Sequence, residues 1–294
     1  MKSYTILAVL FSFLLPQSLH AAESPKIETD IVYGHKDGLA MTMDRYHPQT
    51  PNGAAVLFMV SGGWRSKWAP PEELLFLFQP FLSQGYNVFA VRHGSSPRYT
   101  IPEAMTDVRR AVRFVRYNAE RFEIDDSRLG VLGMSAGGHL SLMLGTTGDD
   151  GNPEGKDDIE RTSSRVAAVV ALVPPTDLRV AVWEAPESLP AYRGFPALDL
   201  PLDKAKEYSP VIHVTPDDAP SLVIMGGKDD LVPPEHGEWI DEQFEKKNVA
   251  RKLIVFPEAG HDLDGITTRL KTFQESVDWY NTHLAKEAES TSAP

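Results

Sequence analysis

The sequence predicts an α/β fold: a mainly parallel central sheet with helices on both faces and a small insertion over its carboxyl edge. Three observations carry this expectation. Apolar runs of strand length recur from Ala54 onward, amphipathic segments of helix length separate them, and the runs are near-continuous in Val, Ile and Leu, as strands buried on both faces require.

The expected strands are Ala54 to Val60, Tyr86 to Val91, Arg128 to Gly133, Val166 to Val173, Ser221 to Met225 and Arg251 to Phe256. Helices are expected near Pro71 to Ser83, Pro102 to Phe122, Ala136 to Leu144, Pro234 to Lys247 and Thr267 to Leu284. An opening hairpin, Ile27 to Tyr33 and Leu39 to Tyr46, turns around His35-Lys36-Asp37-Gly38. Two stretches break the rhythm. Gly148 to Thr162 is polar and rich in Gly and Asp, hence a surface loop. Asp177 to Pro220, with its many prolines and the aromatics Trp183, Tyr192, Phe195 and Tyr208, reads as the insertion.

Residues Met1 to Ala22 stand apart from this pattern. Lys2 opens them, Ile6 to Leu15 is almost wholly apolar, and the small residues at Ala21 and Ala22 offer a cleavage site, so the stretch reads as a secretory signal followed by a single domain from 23 to 294. The apolar run falls short of the roughly 20 residues that a spanning helix needs, and no later segment is long enough either. Export into the periplasm or medium is the expectation. The chain contains no cysteine, which excludes disulfides and thiolate metal sites. Its formal charge is -12, and loss of Lys2 with the leader, which carries no acid, would leave -13. Such a surface disfavours nucleic acid and anionic membranes. The oligomeric state is left open by the sequence.

The chemistry-bearing stretch is Gly133-Met134-Ser135-Ala136-Gly137, a G-x-S-x-G with a strand before it and a helix after it. This is the context of a nucleophile elbow, in which a tight turn strains the serine backbone and thrusts its hydroxyl out at the carboxyl edge of the sheet. Glycines at 133 and 137 are needed because side chains there would strike neighbouring backbone. The helix amino terminus makes the Ala136 amide a candidate oxyanion donor.

A serine nucleophile needs a base, and the base needs a carboxylate to hold its tautomer. His261 lies in Glu258-Ala259-Gly260-His261-Asp262, just after the last strand; Asp229 lies just after the strand Ser221 to Met225. Both should emerge at the same edge as Ser135. Asp230 adjoins Asp229 and is the alternative acid, with Asp229 preferred. His139 should be packed rather than catalytic, His213 and His236 should lie on the surface, and His93, after the strand Tyr86 to Val91, either lines the pocket or is an ordinary polar loop residue. No spacing suggests a metal site. Val60-Ser61-Gly62-Gly63-Trp64 closes an earlier strand, so Gly62 or Gly63 is the expected second oxyanion donor and Trp64 a substrate contact.

Taken together, Ser61 to Trp64, Asp107 with Arg109 to Arg113 before Ile124-Asp125, Gly133 to Leu140, Asp229 to Pro233 and Gly260-His261 resemble the α/β-hydrolase superfamily. Within it the chain is similar to bacterial esterases related to feruloyl and acetylxylan esterases and to hormone-sensitive lipase. The resemblance runs from about Ala54 to His283 and implies a carboxylic-ester hydrolase with the triad Ser135, Asp229 and His261. The sequence departs from that group at one point: the usual oxyanion loop reads His-Gly-Gly-Gly-Trp, whereas Val60 and Ser61 stand here at the first two positions. No cofactor is implied. Short-acyl or aromatic esters of carbohydrates, small molecules or glycans, are the expected substrates, because the insertion is aromatic and lacks the long amphipathic helix of a lipid-opened lid. The alternatives are a serine peptidase of the same fold and a non-catalytic binding protein that keeps it.

Overall fold

The computed structural model describes residues 25–286; the expected leader, Met1 to Ala22, lies outside the described residues. Eight strands form one sheet: β1 (Ile27–Lys36), β2 (Leu39–Tyr46), β3 (Ala55–Met59), β4 (Asn87–Val91), β5 (Leu129–Met134), β6 (Ala168–Leu172), β7 (Ser221–Gly226) and β8 (Arg251–Phe256). Their spatial order is β1-β2-β4-β3-β5-β6-β7-β8. β2 runs antiparallel to β1 and β4, and the ladders from β4 to β8 are parallel. The first hairpin turns at Asp37 and Gly38, both with positive φ (50° and 77°), as a two-residue turn matched to strand twist requires.

The helices are α1 (Leu75–Leu82), α2 (Ile101–Tyr117), α3 (Ala136–Thr146), α4 (Asp158–Arg161), α5 (Leu202–Glu207), α6 (Glu235–Lys247) and α7 (Ile266–His283). α2 starts where the sequence instructs it to: the Thr100 hydroxyl accepts from the Glu103 amide while Glu103 accepts from the Thr100 amide, with Pro102 in the first turn. Its apolar stripe, including Val108, Val112 and Val115, packs with α3 and with Ile240 and Phe244 of α6 on one face of the sheet. Phe78, Phe81 and Leu82 of α1 and Val277 and Tyr280 of α7 cover the other face. Adjacent strand residues divide between the faces, Val56 to one and Leu57 to the other, which explains the unbroken apolar runs.

One stretch differs from the sequence expectation and one follows it. The polar stretch 148–162 contains the short helix α4, because the Asp157 carboxylate caps it by accepting from the Glu160 amide at 2.9 Å. Residues 177–220 hold α5 and several 3₁₀ turns, and they close over the carboxyl ends of the strands, where the Tyr192 hydroxyl donates to the Leu231 carbonyl at 2.7 Å.

Topology sets the site. α1 carries the chain from β3 to β4 on one side, then α2 carries it back across β3 to β5 on the other, so the order reverses at β3. A crevice opens outside the carboxyl ends at such a reversal. Met59 pairs with Gly133 in register, which brings the loop after β3 beside the turn after β5.

Candidate active site

Ser135 sits in that turn at φ 55°, ψ -121°, a conformation that costs a non-glycine residue on the order of 1–3 kcal/mol. The surroundings hold it there: its amide donates to the Leu172 carbonyl at 2.8 Å and its carbonyl accepts from the His139 amide at 2.9 Å. A Cβ on Gly133 would lie 2.2 Å from the Gly137 carbonyl, and one on Gly137 would lie 2.6 Å from the Met59 carbonyl. The two motif glycines are thus required by contact between β5, α3 and β3. α3 itself is buried along its whole length, which fixes the elbow from behind.

Gly226, the last residue of β7, approaches the next loop as closely; a Cβ there would be 2.3 Å from the Gly260 carbonyl. That contact sets His261 against Asp229. Asp229 Oδ2 lies 2.7 Å from His261 Nδ1, and His261 Nε2 lies 3.0 Å from Ser135 Oγ. The Asp229 side chain is wholly buried (0% exposed), and its second oxygen accepts from the amides of Leu231 and Val232 at 2.9 and 2.8 Å. Asp230 points to solvent. The three residues named from the sequence therefore form one hydrogen-bonded chain, in the order hydroxyl, imidazole, carboxylate.

The loop after β3 narrows the choice between Gly62 and Gly63. Gly62 and Arg65 exchange backbone hydrogen bonds, Gly62 N–H to Arg65 at 3.0 Å and the reverse at 3.1 Å, so the Gly62 amide is committed to closing the turn. Gly63 and Trp64 follow with φ of 56° and 55°. Among the described residues the amides of Gly63, Trp64 and Ala136 carry no hydrogen bond, and Ala136 is the first residue of α3, where an unpaired N–H is expected. The amides of Gly63, Trp64 and Ala136 are thus the ones beside Ser135 left free to donate to a bound group.

A narrow apolar cavity adjoins Ser135, with about 20 Å³ available to the centre of a water-sized molecule. Gly63, Trp64, Tyr192 and Phe195 form part of its wall, as do Leu231 and Val232 next to Asp229. Trp64 is buried; its indole N–H donates to His139 Nδ1 at 3.2 Å, and His139 Nε2 donates to the Tyr208 carbonyl at 2.8 Å. His139 is packed, as expected, and full burial lowers its pKa to about 4, so it is a neutral strut. Burial first and the Asp229 charge second push the Tyr192 phenol up to about 12, keeping it a donor.

His93 is not among the residues lining this cavity: it is buried behind the loop, with Nδ1 donating to the Gly94 carbonyl at 2.8 Å. His236 is also buried rather than on the surface, because its Nδ1 accepts from the Thr176 amide at 3.1 Å beneath the loop that leaves β6. His213 is half-buried, bonded to the Glu207 carbonyl. Trp68 is 63% exposed and away from the cavity. The walls Pro175, Ala181, Leu198, Leu231 and Val232 were not singled out by sequence reasoning; only the Leu231-Val232 pair, beside the acid, gave a signal. Among the described residues no cluster of His, Asp and Glu could hold a metal, and no helix is long and apolar enough to cross a membrane.

Comparison with known proteins agrees with this geometry. The chain is 28% identical over 209 residues to the probable carboxylic ester hydrolase LipM of Mycobacterium tuberculosis, covering 70% of this chain and 48% of LipM. It is 27% identical over 252 residues to the esterase LipC of the same organism, covering 80% of this chain and 59% of LipC. The chain thus spans about half the length of these relatives. A solved carbohydrate esterase from gut microbiota, in truncated form, superposes with a TM-score of 0.73 at 26% identity, over 89% of this chain and 97% of that one. The fold is that of the α/β-hydrolases. The BD-FAE family model matches residues 43–244, which include the nucleophile elbow, the oxyanion loop and Asp229, and the chain belongs to the BD-FAE family.

Proposed function

We propose that the protein is a serine esterase that hydrolyses short-acyl or aromatic esters of carbohydrates through an acyl-enzyme on Ser135. The observation that carries the reading is the unbroken chain from Ser135 Oγ through His261 to the buried Asp229, at 3.0 and 2.7 Å. In the first half-reaction the Ser135 proton passes to His261 Nε2 as Oγ bonds to the ester carbon, and the carbonyl electron pair moves onto oxygen. The amides of Gly63 and Ala136 receive that oxyanion. The tetrahedral species collapses, the C–O bond to the alcohol breaks, and His261 returns its proton to the leaving oxygen. Water repeats the sequence on the acyl-enzyme and releases the acid. Asp229 holds the Nδ1–H tautomer throughout.

Carbohydrate as the alcohol is supported by the likeness to the gut carbohydrate esterase. Export is supported by the leader read in Met1 to Ala22; the amino-terminal sequence of the protein recovered from the producing cell checks that part.

The test compares wild type with Ser135→Ala on p-nitrophenyl acetate and acetylated or feruloylated xylan, with a fluorophosphonate label followed by peptide mapping. Wild type should release acetate or ferulate and take the label at Ser135. The variant should lose turnover by a factor on the order of 10⁶. Label on another serine, or full activity in a folded variant, would overturn the mechanism.

A further inference from the structure

The reaction geometry gives the cavity beside Ser135 a direction. The tetrahedral carbon carries four groups: Ser135 Oγ, the oxyanion, the leaving oxygen and the first carbon of the acyl group. The leaving oxygen must sit within reach of His261 Nε2, because that nitrogen protonates it. The oxyanion must face the amides of Gly63 and Ala136. The cavity is lined by Gly63, Trp64 and Ser135 but not by His261, so it lies on the side left to the acyl group.

We propose that this cavity is the acyl subsite and that the Phe195 ring sets the longest acyl group the enzyme accepts. The inference rests on the esterase reading above and narrows it: of the short-acyl and aromatic esters named there it selects the short acyl groups over feruloyl, and it names the residue that measures chain length.

Size is the first support. By the same measure a single water needs about 10–15 Å³, so 20 Å³ accommodates a methyl or ethyl group and little more. The walls are apolar, so a longer chain would meet no polar penalty; the obstacle is space alone.

The second support is how the wall is held. Tyr192 is fixed at both ends: its hydroxyl donates to the Leu231 carbonyl at 2.7 Å and its carbonyl accepts from the Trp183 indole at 2.8 Å. Phe195 follows it, with its amide bonded to the Tyr192 carbonyl at 3.0 Å and its own carbonyl accepting from the Leu198 amide at 2.9 Å. The Phe195 backbone is therefore anchored, and its ring is laid across Gly63; a Cβ at Gly63 would fall 2.5 Å from ring Cδ1. The ring has no hydrogen bond and is only half-buried. It closes the cavity against the oxyanion loop, and its removal lengthens the cavity without touching the hydrogen bonds that hold the insertion.

The experiment measures kcat/KM for p-nitrophenyl acetate, propionate, butyrate and hexanoate with wild type, Phe195→Ala and Phe195→Leu. The butyrate-to-acetate ratio is the readout, because a loss common to both esters cancels. Wild type should show a ratio below about 0.1, and Phe195→Ala should raise it at least tenfold, within the range one or two methylenes can command in an apolar pocket. Phe195→Leu retains an apolar contact with Gly63 and should raise it at least threefold, which keeps the test available if the alanine variant does not fold. A ratio within twofold of wild type in a folded, active variant overturns the assignment of Phe195. A wild type that hydrolyses none of these esters overturns the esterase reading and this inference with it.

Discussion

Asp229 gives one carboxylate oxygen to His261 and the other to the amides of Leu231 and Val232, so that each oxygen has one task. The backbone pair fixes the carboxylate plane, and the buried charge then faces Nδ1. Asp229→Asn keeps the shape but presents either an amide N–H or a weaker acceptor to Nδ1, which favours the wrong imidazole tautomer. Turnover should fall on the order of 10³–10⁴-fold with KM little changed. Asp230, the next residue and exposed to solvent, should tolerate the same change with less than about a threefold loss. Steady-state kinetics of the two variants on p-nitrophenyl acetate check this; the reverse ranking would move the acid to Asp230.

The adjacent glycines of the oxyanion loop should respond differently to the same small substitution. At Gly62 a Cβ would meet nothing within 4 Å, and its N–H is already committed to Arg65. At Gly63 the backbone is left-handed (φ 56°) and a Cβ would strike the Phe195 ring. Gly63→Ala should therefore rotate or displace the donor amide and cost about 10²–10³ in kcat, the usual loss for one oxyanion donor. Gly62→Ala should cost less than about threefold. Equal losses in the two variants would show that the whole loop, and not the Gly63 amide, is what matters.

These two pairs also mark how far the sequence carries. Ser135, Asp229 and His261 were legible because each follows an apolar strand by a few residues, and parallel strands deliver such loops to one edge. The choice of Gly63 over Gly62 was not legible, since it depends on a reciprocal hydrogen bond that Arg65 makes after the turn closes. His236 reads as polar and exposed at the start of a helix, yet the Thr176 amide that buries it comes from 60 residues earlier. The acyl-side wall has the same origin: Phe195 meets Gly63 only when the insertion folds back over the sheet. Local pattern gives strands, helices and their loops; contacts between loops follow from the closed fold.

Activity should decline on the acid side. Protonated His261 cannot accept the Ser135 proton, and Asp229, buried and bonded to two amides, cannot substitute for it. The profile of kcat/KM for p-nitrophenyl acetate, taken where circular dichroism shows the fold intact, checks this. A flat profile from acid to neutral pH would remove His261 from the role of base.

Stability should also fall on the acid side, because buried histidines away from the triad are held neutral, His139 and His236 most strongly. His139 and His236 have their pKa lowered from 6.5 to about 4, chiefly by burial. In the unfolded chain both protonate near pH 6.5, whereas in the folded protein they stay neutral until about pH 4. The unfolded state therefore binds more protons between these values, so the contribution of these two histidines to stability is full above about pH 6.5, falls as the pH drops, and levels off below about pH 4. Each histidine contributes a slope of up to about 1.4 kcal/mol per pH unit within that window. The two sites are distinguishable by their bonds. His139 donates to Tyr208 and accepts from Trp64, so His139→Gln, which can both donate and accept, should lower overall stability by about 1–2 kcal/mol while removing its share of the slope. Urea unfolding of wild type and His139→Gln at half-unit steps from pH 7.5 to 4 provides the measurement. The slope of the variant should be shallower by up to about 1.4 kcal/mol per pH unit near pH 5; identical slopes would mean that His139 takes up its proton in the folded protein as readily as in the unfolded chain.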